Sequence, residues 1–198
     1  PRAHNLLGMA LARLGRHEDG LASFDRALLL QPDFADAHGN RASALMELGR
    51  TAEAVASYDR ALALQSDSVG DWLNLGTALQ SKGLLLDGLR ELQEAARLQP
   101  SSDAVRFNLG NGLLAVGRGD EAARELTRAV ALNPENADAH FNLAMLLGPR
   151  GEVDAAIVHL ERDRHADAGE PCDVVPNATV TTLAQERLEV GGRRVVAE

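Results

Sequence analysis

The sequence predicts an all-α solenoid of stacked helix pairs, and three observations predict it. The 198-residue chain repeats its own pattern every 34 residues. Within each 34-residue row, apolar residues recur at helical spacing on two separate segments. Glycine and proline fall at fixed places between those segments. With the positions of each row numbered as columns, column 11 is Leu11, Leu45, Leu79, Leu113 and Leu147. Column 15 is Gly15, Gly49, Gly83, Gly117 and Gly151. Column 8 is small throughout (Gly8, Ala42, Gly76, Gly110, Ala144), and so is column 20 (Gly20, Ala54, Gly88, Ala122, Ala156). Column 24 is large: Phe24, Tyr58, Leu92, Leu126 and Leu160.

Each column has a physical reading. Columns 4, 7, 8 and 11 share one face of a first helix, over columns of about 2–14. Columns 20, 24 and 27 share a face of a second helix, over about 18–31. Small residues at 8 and 20 let the two backbones approach, and the large residue at 24 fills the space beside them. The column-15 glycine ends the first helix in a left-handed conformation. Pro32, Pro100 and Pro134 stop the second. Ser68, Ser102 and Asn136 then cap the next row. Glu18, Glu53, Asp120 and Glu121 fall in the first turn of the second helix, where they favour its dipole.

The rows divide the chain into units 1–34, 35–68, 69–102, 103–136 and 137–168, with a non-repeat tail at 169–198. Two rows depart from the pattern. Arg41 stands at the apolar column 7, so its guanidinium must pair or snorkel. In the fifth row, Gly148-Pro149 ends the first helix near Leu147. The second helix of that row begins with Val153, Ala156 and Ile157, then loses its apolar face at Asp163. The tail reads as a cap, a linker or a disordered segment. A short helix capped by Thr182 and Gln185 and a hairpin across Gly191-Gly192 are both open there.

Composition narrows the function. The net charge of -9 disfavours a nucleic-acid surface and binding to anionic membranes. No run of 18 apolar residues predicts a membrane span. Cys172 is the single cysteine, so no internal disulfide can form, which fits a reducing, cytoplasmic compartment. The chain opens at Pro1 inside a helical pattern and reads as a segment of a longer product. Arg, Ala and Gly usage with one lysine, Lys82, suggests a bacterial source.

On seven or eight columns repeated five times, residues 1–168 resemble the tetratricopeptide-repeat (TPR) family. Trp72-Leu73-Asn74-Leu75-Gly76 followed by Leu79 is the most complete first-helix signature. The resemblance implies a right-handed superhelix of about five helix-turn-helix repeats, with a concave inner face. It also implies a protein partner, held as an extended peptide or a helix in that groove.

The candidate site is column 6: Asn40, Asn74, Asn108 and Asn142, spaced by 34 residues. Asn is a poor interior helix residue because its amide competes for backbone partners. At about 100° per residue, column 6 lies away from the packing columns 4, 7 and 11. Column 9 adds Ser43, Thr77 and Asn111 on that side, and column 5 adds Phe107 and Phe141. Met9, Met46, Leu73, Leu114 and Met145 also turn inward, which suggests a peptide with small apolar side chains. A row of carboxamides suits the backbone of an extended peptide. Equally readable, the asparagines make intramolecular or water contacts or record duplication, and Phe107 and Phe141 fill gaps between helices. The asparagine series resembles that of the TPR region of O-GlcNAc transferases, which holds substrate peptides by their backbone. That likeness covers Asn40, Asn74, Asn108 and Asn142 alone; the first row has Leu6 there, with Asn5 adjacent.

Other patterns carry less. A carboxylate clamp needs lysine or arginine where this chain has Gly70, Leu73, Asn74, Ala104 and Asn108. His4, His38 and His140 share column 4, about 10 Å apart on stacked helices, so they cannot share a metal. They read as packing residues at the place of Trp72. The fingerprint-like Gly110-Asn111-Gly112 lies inside a helix, without the strand that dinucleotide binding requires. No residue arrangement suggests catalysis, a metal or a cofactor. The expected function is a non-catalytic interaction module. The alternative is the substrate-docking part of a larger transferase, most of all an O-GlcNAc-transferase-like glycosyltransferase. Uncapped ends leave end-to-end self-association possible.

Overall fold

The computed structural model describes residues 1–148 and Val158. The second helix of the fifth row and the 169–198 tail lie outside the described residues. The elements are α1 (Arg2–Arg13), α2 (His17–Leu30), α3 (Ala35–Glu47), α4 (Thr51–Leu64), α5 (Val69–Ser81), α6 (Leu85–Leu98), α7 (Asp103–Ala115), α8 (Gly119–Leu132) and α9 (Ala137–Leu147). The described residues form an all-α repeat fold. One compact unit, Pro1–Pro134, holds α1 to α8 as four pairs; α9 lies in a second unit, Glu135–Glu198. In the first unit each odd-numbered helix packs on the even-numbered helix after it, and neighbouring pairs stack.

The helices run 11 to 14 residues. That length is marginal in isolation, so packing must hold them. Their ends follow local chemistry. Gly117 sits at φ +78°, with Gly15, Gly49 and Gly83 alike. The Gly117 N–H donates to the Leu114 carbonyl and the Arg118 N–H to the Leu113 carbonyl, both at 2.9 Å. This Schellman pair of bonds recurs after α1, α3 and α5 and satisfies carbonyls the helix end would orphan. Ser68, Ser102 and Asn136 accept from the N–H of Asp71, Val105 and Ala139. Those are the caps the sequence predicts.

The small columns are set by contact. A Cβ placed on Gly8, Gly76 or Gly110 would lie 2.6–2.8 Å from Phe24, Leu92 or Leu126, the column-24 residue of the same row. In the third row the backbones themselves meet, since a Cβ on Gly88 would stand 2.5 Å from the Gly76 carbonyl oxygen. A core of Leu21, Ala42, Leu45, Ala54, Tyr58, Leu62, Leu75 and Leu79 runs through α2 to α5. Met46, expected on the groove side, packs against this core instead. Arg41 pairs as expected: its Nε donates to Asp25 at 2.7 Å and its Nη1 to the Ser57 hydroxyl.

Column 4 corrects the sequence reading. Three of its residues, His38, Trp72 and Arg106, are more than packing groups, because their ring or guanidinium nitrogens pin the turn between repeats. Trp72 Nε1 donates to the Ser66 carbonyl at 2.8 Å, and Arg106 Nε to the Pro100 carbonyl at 2.8 Å. His38 Nε2 stands 2.9 Å from the Pro32 carbonyl. All three reach column 32 of the preceding row. Trp72 also packs on the core, so both roles hold at that residue. On α9, His140 is buried.

Candidate peptide-binding groove

Helices α1, α3 and α5 converge on a concave pocket of about 360 Å³. Asn5 and Met9 come from α1, and Asp36, Gly39, Asn40 and Ser43 from α3. Ser68, Gly70, Asp71 and Asn74 close it from the start of α5. A second pocket of about 210 Å³ shares Met9, Asn40 and Ser43 with the first and adds Arg13, His17 and Glu47. Asn40, Asn74 and Ser43 are therefore brought together. Thr77, Phe107, Asn108 and Asn111 line neither pocket. Asn142 and Phe141 are half-buried on α9, in the other unit.

Each asparagine of the first unit has a partner within the chain. Asn40 Nδ2 donates to Asn5 Oδ1 at 3.1 Å, tying α3 to α1. The Asn74 side chain lies beside the Tyr58 phenol and counters the rise that burial imposes on it. Asn108 Nδ2 donates to the Ala104 carbonyl at 2.8 Å, one turn back on its own helix. A carboxamide offers two N–H donors and an oxygen with two lone pairs, so one bond leaves most of it available. The hydroxyls behave similarly. Ser43 Oγ bonds the Gly39 carbonyl at 3.2 Å and the Tyr58 hydroxyl at 3.0 Å. Thr77 Oγ1 donates to the Leu73 carbonyl at 2.9 Å. Asn111 and Phe107 are half-buried on α7.

The pocket is acidic, which the sequence reading missed. Burial pushes the Asp71 carboxyl above the usual range; the Ser68 hydroxyl pulls it back, and the nearby charge of Asp36 pushes it up again. Burial likewise raises the Tyr58 phenol. The signal for Asp71 was present in its column. Column 3 is otherwise Ala3, Ala37, Val105 and Ala139, the last three buried, so a carboxylate there breaks an apolar pattern. For a raised acid, the native state disfavours the charged form, and that penalty is complete above the folded pKa. It disappears as pH falls through that value toward the unfolded value of about 3.9. Asp71→Asn should therefore melt higher than the parent at pH 7, with the gap closing toward about pH 4. Thermal melts across that range measure it; a gap independent of pH would contradict the burial of this charge.

Comparison with known proteins places the chain. The family model described as a tetratricopeptide repeat matches residues 2–69 and 107–171, more than half of the sequence. The chain belongs to the tetratricopeptide-repeat family. Solved TPR structures resemble it closely in fold. MamA from Desulfovibrio magneticus RS-1 is 17% identical, covers 86% of this chain and 97% of its own, and superposes with a TM-score of 0.78. YrrB, described as a TPR protein with an unusual peptide-binding site, is 22% identical over 92% of this chain and 90% of its own, with a TM-score of 0.72. PilF of Pseudomonas aeruginosa is 23% identical over 96% of this chain and 83% of its own, with a TM-score of 0.79. At these identities the likeness is one of fold. No curated protein matches the sequence. Among the described residues, no group of three or more His, Cys, Asp or Glu side chains is placed to hold a metal. None of the described helices is long and apolar enough to cross a membrane.

Proposed function

We propose that this TPR array is a non-catalytic module that holds an extended peptide of a partner protein along its first-helix faces. Asn40, Asn74 and Asn108 of the first unit would bond the peptide backbone, with Ser43, Thr77, Asn111 and Phe107 tuning the groove around it. Asn142 and Phe141 on α9 would offer the same kinds of contact within their own unit. The observation that carries this reading is the open pocket where α1, α3 and α5 converge Asn5, Asn40, Asn74 and Ser43. Each amide there retains donors and acceptors that a main chain can meet. The peptide-binding site named for YrrB, a protein of the same fold, lends further support.

A displayed random-peptide library tests it. Asn40→Ala, Asn74→Ala and Asn108→Ala combined should weaken selected peptides by about tenfold to a thousandfold, since net hydrogen bonds contribute roughly 0.5–1.5 kcal/mol each. The loss should be similar across peptides of different sequence, because backbone is what is read. Unchanged affinity with an intact helical signal would sink the ladder.

A further inference from the structure

Resting on that groove reading, we infer that the pocket between α1, α2 and α3 takes one long, uncharged side chain of the bound peptide, of methionine, leucine or glutamine size. The array itself shows what fits. Column 12 of the first unit's four rows is Ala12, Met46, Gln80 and Leu114, so the first row alone has a small residue there. In the third row, Gln80 reaches across the space between α6 and α7. A Cβ on Gly88 would stand 2.7 Å from its Cγ, and one on Gly112 2.8 Å from its Nε2. Met46 packs on the core in the second row, and Leu114 is half-buried in the fourth.

Two rows earlier, the counterparts of Gln80, Gly88 and Gly112 are Ala12, Gly20 and Ala44. A Cβ on Gly20 would lie 3.6 Å from the Ala12 Cβ, so α1 and α2 face each other there as α5 and α6 do. The Ala12 side chain ends at that Cβ, and a pocket of about 210 Å³ stands beside it, walled by Ala12, Phe24 and Ala44. An apolar wall without partner atoms forgoes the dispersion contacts that Gln80 makes in its own row. A second observation is independent of the repeat. His17, at the start of α2, lines the same pocket, and its Nδ1 is buried without a hydrogen-bond partner. A carboxamide both donates and accepts, so a glutamine would satisfy that nitrogen in either tautomer. Arg13 and Glu47 line the pocket with one charge of each sign, both exposed, so neither sign is favoured. Asn40 and Ser43 line it too, so a peptide whose main chain they bond can send a side chain in. The sequence alone suggested small apolar side chains; the place of a missing column-12 side chain calls for a longer one.

The experiment is fluorescence anisotropy with labelled Gly/Ala dodecapeptides that differ at one central residue: Met, Leu, Gln, Ala or Glu. The Met, Leu and Gln peptides should bind about tenfold tighter than the Ala and Glu peptides. Ala12→Met, and Ala12→Gln with the third row's own residue, fill the pocket from within the chain. Both should stay folded by circular dichroism, and the preference should fall to about twofold or less. Equal binding of the Ala and Met peptides, both still sensitive to Asn40→Ala with Asn74→Ala, overturns the side-chain preference and leaves the groove standing. A preference that persists in both folded Ala12 variants overturns its assignment to this pocket. Loss of the fold in both does the same, since a pocket that admits a peptide side chain must admit one from position 12. Binding of no peptide in the set overturns both readings.

Discussion

Gly88→Ala is expected to lose about 3 kcal/mol, the upper end of overpacking costs, and to lower the melting temperature by roughly 6–12 °C. The new Cβ would stand 2.5 Å from the Gly76 carbonyl oxygen and 2.7 Å from Gln80 Cγ. The first obstacle is backbone and cannot rotate away. Relief requires α5 and α6 to separate, and that opens the packing around Leu92, which is 1% exposed. Helix propensity works the other way, since alanine is better than glycine by about 1 kcal/mol in a helix interior. Gly70→Ala serves as the control, because a Cβ there meets nothing within 4 Å. Chemical denaturation should show a loss for Gly88→Ala and none for Gly70→Ala. Equal stability of the two would mean the helix pair can spread at no cost, contrary to the contact.

Arg106→Leu is expected to cost about 2–3 kcal/mol, which urea titration measures. Arg106 is 13% exposed and Glu125 14%, with Nη1 and Oε2 at 2.7 Å. The same guanidinium donates from Nε to the Pro100 carbonyl. Leucine leaves that carbonyl without its donor and leaves Glu125 with Arg128 alone, which approaches its other oxygen at 2.7 Å. That remaining arginine keeps the loss below the 3–5 kcal/mol typical of a broken buried pair. Arg106→Trp should recover about 1 kcal/mol of the difference, because Trp72 makes the equivalent bond to Ser66. If tryptophan and leucine lose equally, the bond to the preceding turn contributes nothing.

Much of this was legible in the sequence because it is local or periodic. The Gly at column 15 and the caps at Ser68, Ser102 and Asn136 depend on backbone a few residues away. The small columns 8 and 20 were readable because five rows repeat them. The column-4 pin was also within reach, since His38, Trp72 and Arg106 share an N–H donor and little else. Their common partner, a carbonyl six residues earlier, is invisible to a helical pattern that counts only apolar faces. Asn40, Asn74 and Asn108 could be placed on one helix face, but not their partners. Asn5, one column off the series, looked like a failure of the pattern and is its most buried member on the first-unit groove.

The sequence by itself determined the all-α repeat, its 34-residue period, the helix ends and the side of the helix on which the asparagines lie. These follow from spacing along one chain, which a periodic backbone converts directly into direction. Only the tertiary structure decided that Asn5, Asn40, Asn74, Asp36 and Asp71 meet in one pocket. They come from three helices about 30 residues apart in sequence. Register between helices depends on how closely Gly39 and its neighbours let them approach, and that distance is a property of packing, absent from the pattern of any single row.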